Sequence, residues 1–222
     1  MRSSLYLAGV VSALAALSTP ASAGTEIIPL GYVFDRYTDC GTFCYHDSAG
    51  PVALTGTQLI DGAVGVAGWG ADLGNGGAYE WVGWVGDSPV NIDFDFVGKT
   101  RIGRIEIGTT QDDLSDVVLP SVDVYEWQGG AWVAAGSLNV PENPANNRFW
   151  LSTDPHGFLT LDGLNINSNR VRVSLRFSYD GPWTFVDEVN FHAAPVPEPE
   201  TYAMMLAGLG VLGAVARRKR QD

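Results

Sequence analysis

The sequence has 222 residues, 45% of them hydrophobic, and a formal net charge of −12. Residues 24–195 hold 22 Asp and Glu against 8 Lys and Arg, a balance of −14, so this segment is more acidic than the whole chain. Because an acidic surface repels phosphate, the composition argues against nucleic acid and anionic lipid as partners. It is compatible with neutral glycans or divalent cations. The segment is long enough for one domain with a proper core.

The first 23 residues are predicted to be a secretory signal peptide. Arg2 supplies a positive start, residues 5–17 form an apolar stretch, and Ala21-Ser22-Ala23 is a small-residue cleavage site. An apolar stretch of about 13 residues is short for a membrane span. We therefore expect the chain to be exported and the mature protein to begin at Gly24.

Residues 24–51 form an N-terminal segment that contains the two cysteines, Cys40 and Cys44. In the oxidising compartment reached after export, two cysteines this close together favour a local disulfide. The alternative is a metal site that includes His46 and Asp47, since thiolate and imidazole are both metal ligands. No second Cys or His pair nearby completes a tetrahedral set, so the disulfide is the favoured interpretation.

Residues 52–193 are predicted to form an all-β domain. Asn91–Phe96 and Arg170–Phe177 alternate polar and apolar residues, which is the period of a strand with one buried face. Further short strands are expected at Ile102–Ile107, Val122–Trp127, Trp132–Ala135, Phe158–Leu161 and Trp183–Phe191, separated by gaps rich in Gly and Asn. No amphipathic helix longer than a couple of turns is evident in this range. The pattern indicates a two-sheet β-sandwich or jelly roll.

Several short motifs follow one another along this domain. They are Leu59-Ile60-Asp61-Gly62, Ile102–Ile107, Pro120–Tyr125, Gly129-Gly130-Ala131-Trp132 and Trp183–Val189. In this order they resemble the discoidin or galactose-binding-like domains, which are eight-stranded jelly rolls that commonly bind carbohydrates. The resemblance implies a galactose-binding-like jelly roll over 52–193 and a function in binding sugars.

The resemblance also implies a structural calcium ion. Asp61 in Leu-Ile-Asp-Gly and Glu188 in Asp-Glu-Val match the motif positions whose acidic side chains help to hold that ion. Calcium prefers six to eight oxygen ligands, so two carboxylates would need carbonyls or waters as well. The alternative is that Asp61 caps the turn made by Gly62 while Glu188 faces solvent.

Tryptophans are the candidates for sugar contact, because the apolar face of a sugar ring packs on an indole. Trp69, Trp81 and Trp84 lie in a Gly-rich stretch expected to form loops and strand ends. Each is a candidate ligand-binding residue, with burial in the core as the alternative. By the same resemblance, Trp132 and Trp183 match positions that belong to the core.

Three arginines share one face of a predicted strand, because Arg170, Arg172 and Arg176 are an even number of residues apart. A guanidinium binds a carboxylate with two hydrogen bonds, so this face could grip an acidic polysaccharide. The alternative is that the arginines pair with carboxylates on neighbouring strands. The acidity of the chain favours the second interpretation.

Motifs for catalysis are lacking in the sequence. His46, His156 and His192 are scattered and form no His-Glu-x-x-His zinc motif, and there is no Gly-x-Ser-x-Gly elbow. Many acids could serve glycoside cleavage, but nothing singles out a pair. We therefore predict a protein that is not an enzyme.

The C-terminal 27 residues have three parts in a fixed order. Residues 194–200 are a spacer rich in Pro and Glu, 201–216 are a predicted transmembrane helix, and 217–222 are a basic tail that stays in the cytoplasm. This order resembles the PEP-CTERM sorting signal of Gram-negative bacteria, whose Pro-Glu-Pro is matched by Pro197-Glu198-Pro199 and whose basic end is matched by Arg217, Arg218, Lys219 and Arg220. The resemblance implies an exosortase as partner, which removes the tail after transit through the inner membrane. The alternative is a plain C-terminal anchor that is not processed.

The prediction that combines these features is an exported, non-catalytic protein of the cell envelope or extracellular matrix. The sorting signal resembles those found beside exopolysaccharide production, which implies an exopolysaccharide or another glycan as partner. A structural matrix or surface protein without a discrete sugar site is the alternative, and a glycan-active enzyme is less favoured.

Overall fold

The computed structural model describes residues 24–36, 45, 47, 57–65, 80–86, 88–111, 117–140, 156–177, 183–195, 205–212 and 217. Eight strands account for most of them. They are β1 (Glu26–Ile27), β2 (Gly31–Phe34), β3 (Val82–Val85), β4 (Val90–Thr109), β5 (Ser121–Gln128), β6 (Ala131–Leu138), β7 (Gly157–Arg176) and β8 (Trp183–Ala193). A short 3-10 turn at Gln58–Ile60 precedes β3.

The two longest strands, β4 and β7, connect two layers, because one half of each strand lies in the first layer and the other half lies in the second. In the first layer, residues 90–95 of β4 pair with β2 on one side and with residues 170–175 of β7 on the other. This half of β7 also pairs with β5, and β5 pairs with β6. In the second layer, 102–109 of β4 lie between β8 and 157–166 of β7, and both β1 and β3 pair with β8. All the pairings between these eight strands are antiparallel, and the register of β4 shifts between Asp95 and Thr100, where the strand passes from one layer to the other.

The core lies between the layers. Val90, Ile92, Phe94 and Phe96 alternate with more exposed residues along β4 and are all buried. The ring centroids of Phe94 and Phe96 lie 4.9 and 5.2 Å from that of Phe191 on β8, so the layers face each other across an aromatic contact. Each large apolar side chain buried here contributes about 1.5–3 kcal/mol. The predicted all-β sandwich is confirmed.

The structure joins predicted strands and adds others. Asn91–Phe96 and Ile102–Ile107 belong to the single strand β4, while Phe158–Leu161 and most of Arg170–Phe177 belong to β7. β3 was not predicted as a strand, because its sequence Val-Gly-Trp-Val is short and follows a Gly-rich stretch. Its side chains are almost wholly buried, so an alternating pattern is absent there.

Several predicted features lie outside the described residues. These are the signal peptide, the pair Cys40 and Cys44, Trp69, and Pro197, Glu198, Pro199, Arg218, Lys219 and Arg220 of the sorting signal. Residues 205–212 are helical, with exposed apolar side chains such as Leu206 and Leu212. Within the part of the chain that the structure describes, no helix reaches the length and apolar character needed to cross a membrane.

Candidate functional site

A buried carboxylate on β8 joins three separate parts of the chain. The side chain of Asp187 is completely buried and accepts a hydrogen bond of 2.7 Å from the backbone N–H of Gly65. His156, directly before β7, places its Nε2 2.9 Å from the same carboxylate. The His156 ring also packs against Trp81 and Phe158, with centroids 5.9 and 4.7 Å away. Asp187 therefore holds the segment after the 3-10 turn and the start of β7 against β8.

This carboxylate needs a glycine opposite it. A Cβ atom on Gly108 of β4 would lie 2.0 Å from Asp187 Oδ1 and 2.9 Å from His156 Nε2. Nothing in the φ angle of Gly108 requires glycine, so the requirement is one of space.

Gly108→Ala is expected to destabilise the domain by about 2 kcal/mol, because the added methyl group must displace a short, hydrogen-bonded side chain. Chemical denaturation of the purified domain measures the change. Gly98→Ala is the matched control, since nothing lies within 4 Å of a Cβ at that position, and its effect should stay within about 0.5 kcal/mol. Equal stabilities for the two variants would contradict the packing argument.

The next residue, Glu188, meets the turn that contains Asp61. Glu188 is 3% exposed, and its Oε2 accepts a hydrogen bond of 3.0 Å from the backbone N–H of Gly62. Asp61 is exposed, and its Oδ1 accepts a hydrogen bond of 2.9 Å from the N–H of Ala63, which is an Asx turn. Burial raises the pKa of Glu188 to about 8, and the carboxylates of Asp61, Asp187 and Glu26 add to this increase.

These contacts bear on the predicted calcium site. The structure brings Asp61 and Glu188 to one turn, and a buried carboxyl among other carboxylates would be stabilised in its charged form by a cation. Among the described residues, no group of three or more His, Cys, Asp and Glu side chains is placed to hold a metal ion. Asp61 and Glu188 would thus hold calcium only together with carbonyl or water oxygens. The alternative in which Glu188 faces solvent is wrong, because Glu188 is buried.

A second buried network fixes the 3-10 turn. The hydroxyl of Tyr32 on β2 donates a hydrogen bond to the carboxylate of Asp47 and accepts one of 3.0 Å from the backbone N–H of Leu59. Burial is the main cause that raises the pKa of the Tyr32 hydroxyl far above its ordinary value, and the bond to Asp47 adds to it. Asp47, which the sequence offered as a metal ligand beside the cysteines, thus has a structural partner in Tyr32.

The two candidate tryptophans that the structure describes are core residues. Trp81 and Trp84 are both completely buried, and Trp84 packs edge-on against Phe34 with a centroid distance of 5.5 Å. A Cβ on Gly65 would come within 2.3 Å of the Trp81 indole, so this ring is covered by backbone. Neither indole presents a face to a sugar ring. For Trp81 and Trp84, burial replaces the expected ligand contact, because Trp84 lies on β3, which is paired with β8 in the second layer, and Trp81 directly precedes that strand.

The arginines of β7 pair with carboxylates on both neighbouring strands. Arg172 Nε and Nη2 lie 2.6 and 2.8 Å from the two carboxylate oxygens of Asp93, which stands directly opposite on β4. Arg170 Nε lies 2.8 Å from Asp95 Oδ1. On the other side, Arg176 Nε lies 2.6 Å from Asp123 Oδ2 of β5. The cross-strand pairing is what the acidity of the chain favoured.

Beside these pairs lies an aromatic pair that the sequence interpretation missed. Trp127 and Trp132 face each other across the hairpin of β5 and β6, with centroids 5.1 Å apart. The Arg172 guanidinium lies 4.4 Å from the Trp132 centroid, and that of Arg170 lies 5.6 Å from both indoles. Trp132 is half-buried on the outer surface, so its expected place in the core is wrong. The two-residue turn Gly129-Gly130 was the available signal, because such a turn pairs the residues on either side of it.

Residues 195–220 match the model of the PEP-CTERM protein-sorting motif. The chain carries a PEP-CTERM motif. The motif indicates export and processing at the membrane by an exosortase, as the resemblance of the tail implied. No curated protein matches the sequence.

Several solved structures are similar to this PEP-CTERM chain. One is the CBM32 of AlyQ in complex with 4,5-unsaturated mannuronic acid, at 10% identity and a TM-score of 0.47, covering 77% of this chain and 99% of its own. Another is the C-terminal domain of a chitobiase from Bacteroides fragilis, at 14% identity and a TM-score of 0.48, covering 78% of this chain and 100% of its own. A third is the family 32 CBM of NanJ from Clostridium perfringens in complex with galactose, at 10% identity and a TM-score of 0.40, covering 72% of this chain and 92% of its own. At these values the likeness concerns the arrangement of strands and says nothing about a ligand.

Proposed function

We propose that the chain is an exported, non-catalytic protein that is sorted through its PEP-CTERM tail and binds a glycan of the cell envelope or extracellular matrix. The observation that carries the proposal is the sorting motif at 195–220, which begins two residues after β8 ends at Ala193. The β-sandwich is therefore the part that would remain outside the inner membrane once an exosortase has removed the tail. Its acidity supports a glycan rather than a nucleic acid as partner.

A calcium ion held by Asp61 and Glu188, with carbonyl or water oxygens, is part of this proposal. Two features support it: the carboxylates meet at one turn, and Glu188 is buried beside other acids. Calcium would neutralise these acids and so stabilise the attachment of the 3-10 turn to β8.

Processing is tested by mass spectrometry of the protein recovered from the cell surface or medium. We expect its C-terminus to lie near Pro197–Pro199, because prolines favour an extended backbone that a processing enzyme could reach. A variant with Pro197, Glu198 and Pro199 replaced by alanine should keep its tail and stay in the membrane fraction. A wild-type protein that still ends in Arg217–Asp222 would contradict the proposed processing.

Glycan association is tested with the exported protein and polysaccharide extracted from the matrix of the producing cells. We expect the folded domain to be retained on this material and to be released by an excess of the same polysaccharide. Loss of binding on heat denaturation is the control for a folded site. A folded protein that is not retained at all would contradict the binding function and favour a structural role in the matrix.

A further inference from the structure

The outer surface of the first layer carries aromatic and charged side chains in adjacent rows. On β5 and β6 these are Tyr125, Trp127 and Trp132, and the rows continue with two arginines on β7 and two aspartates on β4. The set is here called the Trp–Arg face, and it comprises Asp93, Asp95, Tyr125, Trp127, Trp132, Arg170 and Arg172. The residues that alternate with them along the strands, such as Phe94, Val171 and Val124, point into the core. The face is thus built on strands, and the long loops of the domain contribute none of these residues.

The side chains of this face are held in place by one another. Arg172 is fixed at its end by Asp93 and along its plane by the Trp132 indole, 4.4 Å away. Arg170 forms an ion pair with Asp95, and its guanidinium lies 5.6 Å from the centroids of both indoles. Polar groups that are already immobilised lose little conformational entropy on binding a ligand. The face is therefore preorganised.

The face is also close to electrically neutral, in contrast to the domain that carries it. Two arginines balance two aspartates, whereas residues 24–195 as a whole have a balance of −14. The pairs remain within reach of solvent, since the Arg170 and Asp95 side chains are 34% and 38% exposed. An anionic chain would find no uncompensated cation there, and a cation would find no uncompensated carboxylate.

An uncharged, hydroxyl-rich ligand matches this chemistry. Each Asp–Arg pair offers acceptors and donors side by side, and a guanidinium has more N–H donors than one carboxylate can accept. A sugar hydroxyl both donates and accepts, while the apolar C–H surface of the ring packs on an indole. The four neighbouring strands that carry these residues, about 4.8 Å apart, give a face roughly 14 Å wide, which suits several units of an extended chain better than a single sugar.

We propose that the Trp–Arg face binds an uncharged polysaccharide chain, with sugar rings on Trp127 and Trp132 and hydroxyls bonded to the Asp93–Arg172 and Asp95–Arg170 pairs. The inference rests on the proposed glycan-binding function. It assigns that function to a strand surface, away from the Asp61–Glu188 turn and from the Gly-rich stretch of Trp69.

The test compares two neighbouring residues of β6 in the full exported protein. Trp132→Ala removes the outermost indole, whereas Val133→Ala removes a side chain that is 42% exposed on the same strand but alternates to the opposite side. Affinity electrophoresis in gels that contain a soluble galactan or β-glucan measures binding, and alginate is the acidic comparison. We expect Trp132→Ala to weaken binding to the neutral polysaccharide roughly tenfold or more, and Val133→Ala to change it less than twofold. Binding by the wild type should hardly depend on salt.

Further measurements distinguish an error in the assignment of binding to the Trp–Arg face from an error in the proposed glycan-binding function. Melting temperatures establish that each variant folds, and Trp132→Phe, which keeps an aromatic ring, should retain more affinity than Trp132→Ala. If folded Trp132→Ala and Trp127→Ala variants bind as the wild type does, the site is wrong while glycan binding stands. If the wild type binds only alginate, and salt abolishes this binding, the ligand class is wrong. If the wild type binds none of these polysaccharides or the extracted matrix material, both proposals fail.

Discussion

Asp187→Ala is expected to destabilise the domain by about 3–5 kcal/mol, because it removes a completely buried carboxylate that bonds two separate parts of the chain. The substitution leaves the N–H of Gly65 and the ring of His156 without their shared acceptor in the interior. It also frees the segment after the 3-10 turn and the start of β7 from β8. For a domain of this size the loss should lower the melting temperature by roughly 10 °C, measured by calorimetry or circular dichroism.

Two further variants show whether burial causes this effect. Asp162→Ala removes a carboxylate that is 72% exposed and lies 3.5 Å from Arg104, so its cost should be below about 1 kcal/mol. Asp187→Asn keeps the volume and one acceptor oxygen, and should fall between the other two variants. If Asp187→Ala and Asp162→Ala had equal effects, the buried network would not be a determinant of stability.

Glu188→Gln is expected to make the domain more stable than the wild type at pH 8, by on the order of 2–4 kcal/mol, and about equally stable near pH 4.5. The cause is the pKa of Glu188, which is raised from 4.5 to about 8 in the folded chain. Below 4.5 the carboxyl is protonated in both states. Between 4.5 and 8 the unfolded chain releases the proton while the folded chain keeps it, so stability falls as pH rises. Above 8 the penalty is constant.

The measurement is the difference in free energy of unfolding between Glu188→Gln and the wild type across this pH range, without divalent cations. Glu26→Gln is the control, since Glu26 is an exposed acid near the same cluster and its removal should leave most of the difference in place. A difference that does not depend on pH would contradict the raised pKa.

The same two proteins test the calcium proposal. Millimolar calcium at pH 8 should raise the melting temperature of the wild type, because the cation favours the charged form of Glu188 in the folded state. The Glu188→Gln variant should respond much less. If calcium shifts both proteins equally, or neither, then Asp61 and Glu188 do not hold the ion.

Strands whose two faces differ could be predicted from the sequence alone. Asn91–Phe96 and Arg170–Phe177 alternate because one side meets the core and the other meets water, and this difference is written into the residue types. β3 could not be predicted in this way because both of its faces are covered, so its sequence around Val82 and Trp84 shows no alternation of polar and apolar residues. The burial of Trp81 and Trp84 therefore depends on which parts of the chain pack against them in the tertiary structure.

Local turns can also be predicted from the sequence. The Asx turn at Asp61 needs only a side chain that reaches two residues along its own backbone. By contrast, the partner of Asp187 is 122 residues away at Gly65, and its other partner, His156, is 31 residues away. No spacing rule connects residues at such distances, since their approach depends on how the two layers close.

The sequence by itself determined the properties that depend on order along the chain: a β-domain followed by a proline spacer, an apolar run and a basic end, which together form the sorting motif at 195–220. Recognition of such a signal requires only a short, contiguous stretch of residues. Tertiary structure alone decided which charged and aromatic side chains share a surface. Asp93, Trp132 and Arg172 come from three strands. They meet because antiparallel pairing sets Arg172 of β7 opposite Asp93 of β4, while the β5–β6 hairpin, which pairs with the other edge of β7, brings Trp132 beside the same arginine.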